Sequence, residues 1–174
     1  MRKGWTTGAC AAAAAAAAYR ALLTQIFAST VTIRLPRGET PTFTLASHTL
    51  GDGFARAGII KDAGDDPDVT HGLEIITEVR FGAPGAGLHF FAGDGVGTVT
   101  LLGLPLPPGE PAINPGPRQQ ITDALLSVAR GISGGDEAPL RVQTPDLEVT
   151  ISIPGGLKAS LKTMNSRLGI IGGL

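Results

Sequence analysis

The chain has 174 residues, room for one ordinary domain with at most a small annex, and 43% of them are hydrophobic, enough to build a core. Charged residues are 17% and the net charge is −1, which argues against a disordered chain and against a general nucleic-acid binder. The single cysteine, Cys10, excludes an intrachain disulfide, a cysteine-rich zinc site and a cysteine-held iron–sulfur cluster, and fits a reducing compartment.

At the N-terminus, Arg2 and Lys3 precede an uncharged stretch over 4–19, the outline of a signal peptide. Its apolar part is a run of alanines, and Arg20 ends it short of the ~20 residues of a membrane span, so the expectation is a cytoplasmic protein without a membrane partner. Thr6 and Thr7 are N-cap types, and the spacing and composition predict a helix over 8–25. A helix this bare suits close approach by a sheet or by a flat ligand, and the sheet is the simpler case.

The period then changes to two. Residues 30–35 and 42–45 alternate around a Pro36-Arg37-Gly38-Glu39 turn and read as a hairpin. Further strands are expected over 73–81, 88–92, 98–101, 140–143 and 147–153. The stretch 103–117 holds six prolines and reads as a stiff loop. A second helix is signalled by Pro117 in its first turn, by Ile121, Leu125, Val128, Ala129 and Ile132 on one face, and by Gly134 near its end. The resulting expectation is an α+β fold in one domain over 1–174: a mixed or antiparallel sheet packed with an Ala-rich N-terminal helix and a second, amphipathic helix.

Chemistry concentrates in the string KDAGDDPDVTHG at 61–72, where Asp62, Asp65, Asp66 and Asp68 lie within seven positions. Carboxylates this close raise each other's pKa, and persist where they hold a cation, act as acid or base, or point into water. His71 is either a general base or a structural side chain. Gly93, Gly95 and Gly97 allow close backbone approach to a ligand, or form a bulged hairpin; the dinucleotide spacing is absent. The arm PPGEPAINP at 107–115 leads to a helix start where Asn114 and Arg118 either hold an anion or sit at an ordinary surface.

Taken in order, GWTTGACAA (4–12), KDAGDDPDVTHG (61–72), GVGTVT (95–100), PPGEPAINP (107–115) and IPGG (153–156) with NSRLGIIGG (165–173) resemble the CbiD family of cobalt-precorrin-5B C1-methyltransferases, over essentially the whole chain. The resemblance implies methyl transfer from S-adenosylmethionine to carbon 1 of a corrin precursor, giving cobalt-precorrin-6A in the anaerobic route to cobalamin. The chain resembles the family's N-terminal part, and the family's C-terminal α/β region has no counterpart in it. Ser166 departs from the usual proline, and 157–160 is less acidic than usual.

The substrate so implied is a flat polyanion that brings its own cobalt, so no protein-held metal is expected, while the donor is cationic. Opposite charges need different walls. Asp66 and Asp68, with Gly93, Gly95 and Gly97, are the candidates to hold S-adenosylmethionine, and Asp62, Asp65 and His71 to manage protons at the macrocycle. Thr6, Thr7, Lys61, Asn114, Arg118 and Arg167 are the candidates for its carboxylates. Methyl transfer to carbon is an in-line displacement, so alignment and exclusion of water are the main demands. Two rival readings stand beside this one: a tetrapyrrole-binding or assembly module without catalysis, and a Mg²⁺-dependent phosphate enzyme, which lacks a Walker-type lysine after the glycines. Self-association is left open.

Overall fold

The structure is a computed structural model, and it describes residues 1–132 and 144–174. The strand expected over 140–143 lies outside them. Helix α1 (Thr7–Thr24) starts where the Thr6 side chain accepts the Ala9 N–H at 3.1 Å. It ends where Gln25 turns left-handed at φ 64° and its N–H reaches the Ala21 carbonyl at 2.7 Å. Every residue of 8–19 is buried. The stretch with the outline of a signal peptide is therefore the central helix of the core, and among the described residues no helix is long and apolar enough to cross a membrane.

Strands β1 (Thr30–Thr32) and β2 (Thr42–Thr44) form the expected hairpin. The main sheet contains β3 (Ser47–Gly51), β4 (Phe54–Ile60), β5 (Glu74–Phe81), β6 (Leu88–Ala92) and β8 (Leu147–Ser152), in the order β3-β4-β5-β8-β6. Neighbours are antiparallel except β6, which runs parallel to β8, so the sheet is mixed, as expected for this α+β chain. The β3–β4 hairpin was not among the expected elements. Its two-residue turn, Asp52-Gly53, with Gly53 at φ 72°, is a strong hairpin signal, but the two alanines and the glycine of FARAG mask the strand that follows.

The sheet's inner face explains why α1 is bare. Ala55 and Ala57 on β4, and Ile75, Thr77 and Val79 on β5, turn toward α1, so alanine meets alanine across the layer. Buried Thr77 donates its hydroxyl to the Ala11 carbonyl at 3.0 Å, which ties helix to sheet. On its other side α1 packs along α2 (Pro115–Ile132), whose first turn holds Pro117 as expected. Ile121 and Leu125 of α2 are fully buried, Val128 and Ala129 pack at the margin, and Ile132 is exposed.

The bulged hairpin, one of the two readings of Gly93–Gly97, does not form. After β6 the chain turns away, and β7 (Thr98–Val99) pairs with β9 (Ile170–Ile171) at the far end of the chain. Between β8 and β9 lie two short helices, α3 (Gly156–Ser160) and α4 (Asn165–Leu168).

A helix clasped on two sides cannot accept volume. Ala14→Leu is expected to cost about 1–3 kcal/mol and to lower the thermal midpoint by roughly 2–4 °C for each of them, read by circular dichroism. Leu23→Ala, at an exposed position of the same helix, is the control and should stay within about 0.5 kcal/mol.

Candidate functional site

The N-terminal segment is fastened to the acidic loop. Trp5 N–H donates to the Asp62 carbonyl at 2.8 Å and Asp65 N–H to the Arg2 carbonyl at 3.1 Å. Gly4 lies so close that a Cβ there would stand 1.9 Å from the Ala63 carbonyl carbon, which is why this position takes glycine. The Arg2 guanidinium grips Asp62 through both carboxylate oxygens, at 2.6 and 2.9 Å, and the Arg2 N–H donates to Asp65 at 2.5 Å. The Gly64 N–H and then Arg2 hold the Asp62 carboxyl below the usual range. His71 accepts the Ala63 N–H on Nδ1 at 3.1 Å, so the neutral ring carries its proton on Nε2 and has no free lone pair as placed. Asp66 is exposed, and its side chain has no partner among the described residues.

Lys61 is the unexpected member of the loop, being only 2% exposed. Its three ammonium protons find three acceptors: Thr7 Oγ1 at 3.1 Å, Thr70 Oγ1 at 2.6 Å, and the Asp68 carboxylate. An ammonium at a helix N-terminus opposes the helix dipole, and this full set of acceptors with one opposite charge offsets that cost. Asp68 also accepts the Thr70 N–H at 2.8 Å and hydroxyl at 2.5 Å. Burial pushes the Asp68 carboxyl up, but the hydrogen bonds from Lys61 and Thr70 and the Lys61 charge outweigh it and hold the group at about 2.

This network forms one wall of a cleft between the N-termini of α1 and α2. The outer part, about 420 Å³, is lined by Thr6, Thr7, Lys61, Asp68, Pro117 and Gln120. The inner part, about 210 Å³, is apolar, with Val96, Ile113, Ile121, Ile153 and Leu174 around Thr70 and Asn114. Thr7, Gly8 and Pro117 border both parts. Gly8 keeps the two helix ends together, since a Cβ there would lie 2.9 Å from Gln120 Oε1. That oxygen is buried and has no hydrogen-bond partner, alone in this respect among the described side chains. A buried acceptor without a donor is costly unless a ligand supplies one.

The structure sorts the expected site residues. Thr6, Thr7, Lys61, Asp68 and Asn114 border the cleft. Arg118 does not reach it: Nε–H donates to the Ile113 carbonyl at 2.7 Å, and the guanidinium holds Glu110 at 3.0 Å and the Pro111 carbonyl at 3.1 Å, so Arg118 pins the proline-rich arm onto α2. Arg167 stands exposed on α4, outside the cleft lining. The close approaches of Gly93, Gly95 and Gly97 are to the chain itself. A Cβ on Gly95 would lie 2.0 Å from the Ile153 carbonyl, and Gly95 and Gly97 exchange backbone hydrogen bonds with Leu174, both at 3.0 Å. Cys10 is buried, and burial pushes its thiol up to about 11 against the lowering effect of Lys61, so it stays protonated. Among the described residues no three His, Cys, Asp or Glu side chains are grouped to hold a metal. Gln120 and the apolar inner wall escaped the sequence reading, because a glutamine on a helix and scattered isoleucines carry no pattern of their own.

The fold and the cleft define an α+β domain that brings separated sequence motifs to one cleft at paired helix N-termini. A family model described as CbiD matches residues 1–174, and the chain belongs to the CbiD family. It is 55% identical over 174 residues to a protein of Agrobacterium fabrum, and 55% identical to one of Paramagnetospirillum magneticum, both named cobalt-precorrin-5B C(1)-methyltransferase. The matches take in 100% of this chain but 43% and 46% of those relatives. The crystal structure of the cobalamin biosynthesis protein CbiD from Archaeoglobus fulgidus aligns with a TM-score of 0.68 at 28% identity, over 99% of this chain and 51% of that one. The chain thus spans about half the length of the proteins it matches, or a little less.

The Asp68 carboxyl is depressed in the folded state, so its contribution to stability is complete above pH ~4 and is lost as the pH falls toward about 2. Asp68→Asn is expected to cost about 1–2 kcal/mol at pH 7, a modest value because the carboxylate is 37% exposed to screening. The difference between the two proteins should close between pH 4 and 2 in urea titrations.

Proposed function

We propose that the chain is the part of a cobalt-precorrin-5B C1-methyltransferase that holds the charged end of S-adenosylmethionine and a carboxylate-edged tetrapyrrole on either side of the α1–α2 cleft. The observation that carries this reading is the presence, in one cleft, of a fixed buried cation and a buried acceptor that lacks a donor. A ligand end bearing both a carboxylate and an ammonium group matches it. Lys61 and the first-turn N–H groups of α1 attract the carboxylate, while Gln120 Oε1 and the exposed edge of Asp68 accept from the ammonium. When bound, S-adenosylmethionine supplies an electrophilic methyl group on a sulfonium.

The remaining residues align and shield. The apolar inner wall excludes water from the reacting region, and Arg118 fixes the arm that carries Ile113 and Asn114 into it. Asp66, exposed at the loop tip, is free to face a cation or take a proton. Asp62 and Asp65 are engaged by Arg2, which makes them the frame of the loop. The cobalt belongs to the substrate. The product under this reading is cobalt-precorrin-6A.

A second reading follows from the chain's share of its relatives: it holds the tetrapyrrole, and the donor is bound by the remainder of a full-length protein. Titration calorimetry with S-adenosylmethionine separates the two. Saturable binding, weakened about tenfold in Gln120→Leu by loss of one charge-assisted hydrogen bond, is the result expected from the first. A folded chain that takes up no S-adenosylmethionine overturns it and leaves the second.

A further inference from the structure

The end of the chain builds a surface unlike the rest of the molecule. Leu102 is 87% exposed and Leu161 80%, and Leu157, Met164, Leu168 and Ile171 are each more than half exposed. The backbone segments that carry them lie near one another, with Gly156 and Gly173 both packed against Gly95. β9 pairs with β7, Thr100 N–H donates to the Gly169 carbonyl at 2.7 Å, and a Cβ on Gly169 would touch Leu101, so the 101–102 turn sits against α4. Soluble surfaces rarely gather so many large apolar side chains without a partner.

The segment is also not anchored by its own burial. Helix α4 buries none of its residues and α3 buries only Gly156 and Ala159. What holds the backbone is the β7–β9 ladder and the fit of Gly173 and Leu174 against Gly95, so a defined framework presents these side chains outward. Residues 153–174 contain Lys158, Lys162 and Arg167 and no acidic residue, and none of the three cations has a side-chain partner among the described residues. The outer face of the main sheet makes the contrast. There Arg56 and Arg80 both pair with Glu78 and both lie over the Phe54 ring, a surface satisfied within the chain.

We propose that the face made by α3, α4, β9 and the 101–102 turn is the seat of the polypeptide that forms the rest of full-length CbiD relatives, packed there as a second domain through an apolar centre with acidic flanks. The Agrobacterium fabrum and Paramagnetospirillum magneticum relatives are more than twice the length of the region they share with this chain, so each carries enough polypeptide for a second domain. Backbone hydrogen bonds of Leu174 with Gly95 and Gly97 hold the segment after β9 to the rest of the domain. The three bare cations call for carboxylates on what covers them. This inference concerns assembly and does not depend on which ligand occupies the cleft.

Hydrogen exchange tests it without any methyl-transfer assay. The 174-residue chain is compared with a chimera in which it replaces the matched region of the Agrobacterium fabrum relative. Backbone amides of 157–171 should exchange at least about tenfold more slowly in the chimera, with those of β5 unchanged. Leu161→Asp with Leu168→Asp should leave the melting of the 174-residue chain unaltered, because both side chains are exposed in it, yet abolish that protection in the chimera. Equal exchange rates over 157–171 in the two proteins overturn the proposal. So does a concentration-dependent dimer of the 174-residue chain that the two aspartates disrupt while the chimera shows no protection, which would assign the face to a second copy. Should the chimera not fold, exchange in the intact Agrobacterium relative decides, and fast exchange in the stretch aligned with 157–171 again overturns the proposal.

Discussion

The close approach of α1 to its surroundings is the constraint on which the other features rest. Side chains that stop at Cβ let the helix lie against β4 and β5 on one side and α2 on the other, with a polar tie from Thr77 to the Ala11 carbonyl. Interiors packed at this density respond to a single methylene, so α1 has a fixed position rather than a range of them. Its N-terminus is fixed with it. Thr6, Thr7 and Gly8 therefore meet Lys61, Thr70 and Gln120 as a consequence of packing further along the same helix.

The motifs of this chain divide by what they do in the structure. Arg2, Gly4, Asp62, Gly64 and Asp65 tie the N-terminal segment to the acidic loop, and Gly95, Gly97 and Leu174 close the other end. Arg118 tethers the proline-rich arm between them. Only the residues in the gap so framed, Lys61, Asp68, Thr70 and Gln120, present unusual electrostatics to a ligand. A loop crowded with carboxylates thus delivers little net negative field to the cleft, since three of its four aspartates are answered by cations or N–H groups of the same chain.

The sequence was most readable where the physics is local. The Thr6 cap and the alanine run define α1, the β-branched alternation of EIITEVRF and LEVTIS defines two strands, and apolar spacing defines α2. The hairpin over 47–60 was lost because alanine and glycine there serve closeness to α1 rather than strand propensity. Long-range pairing was the other gap. Nothing adjacent to Asp62 announces that Arg2 will neutralise it, nothing near Gly95 announces Leu174, and a lone Gln120 looks like any surface glutamine until two helix ends enclose it. The motif strings contain residues that border the cleft, Thr7, Lys61, Asp68 and Asn114 among them, together with residues that only hold the chain to itself.

Cys10 carries a consequence of its own. It is the chain's one thiol, on the helix that the sheet and α2 clasp, and it is both fully buried and held in its unreactive form. No reagent can reach its sulfur while α1 is seated, so the speed at which it is alkylated under native conditions is a stopwatch for the helix coming loose. The molecule contains its own gauge of how often its core opens.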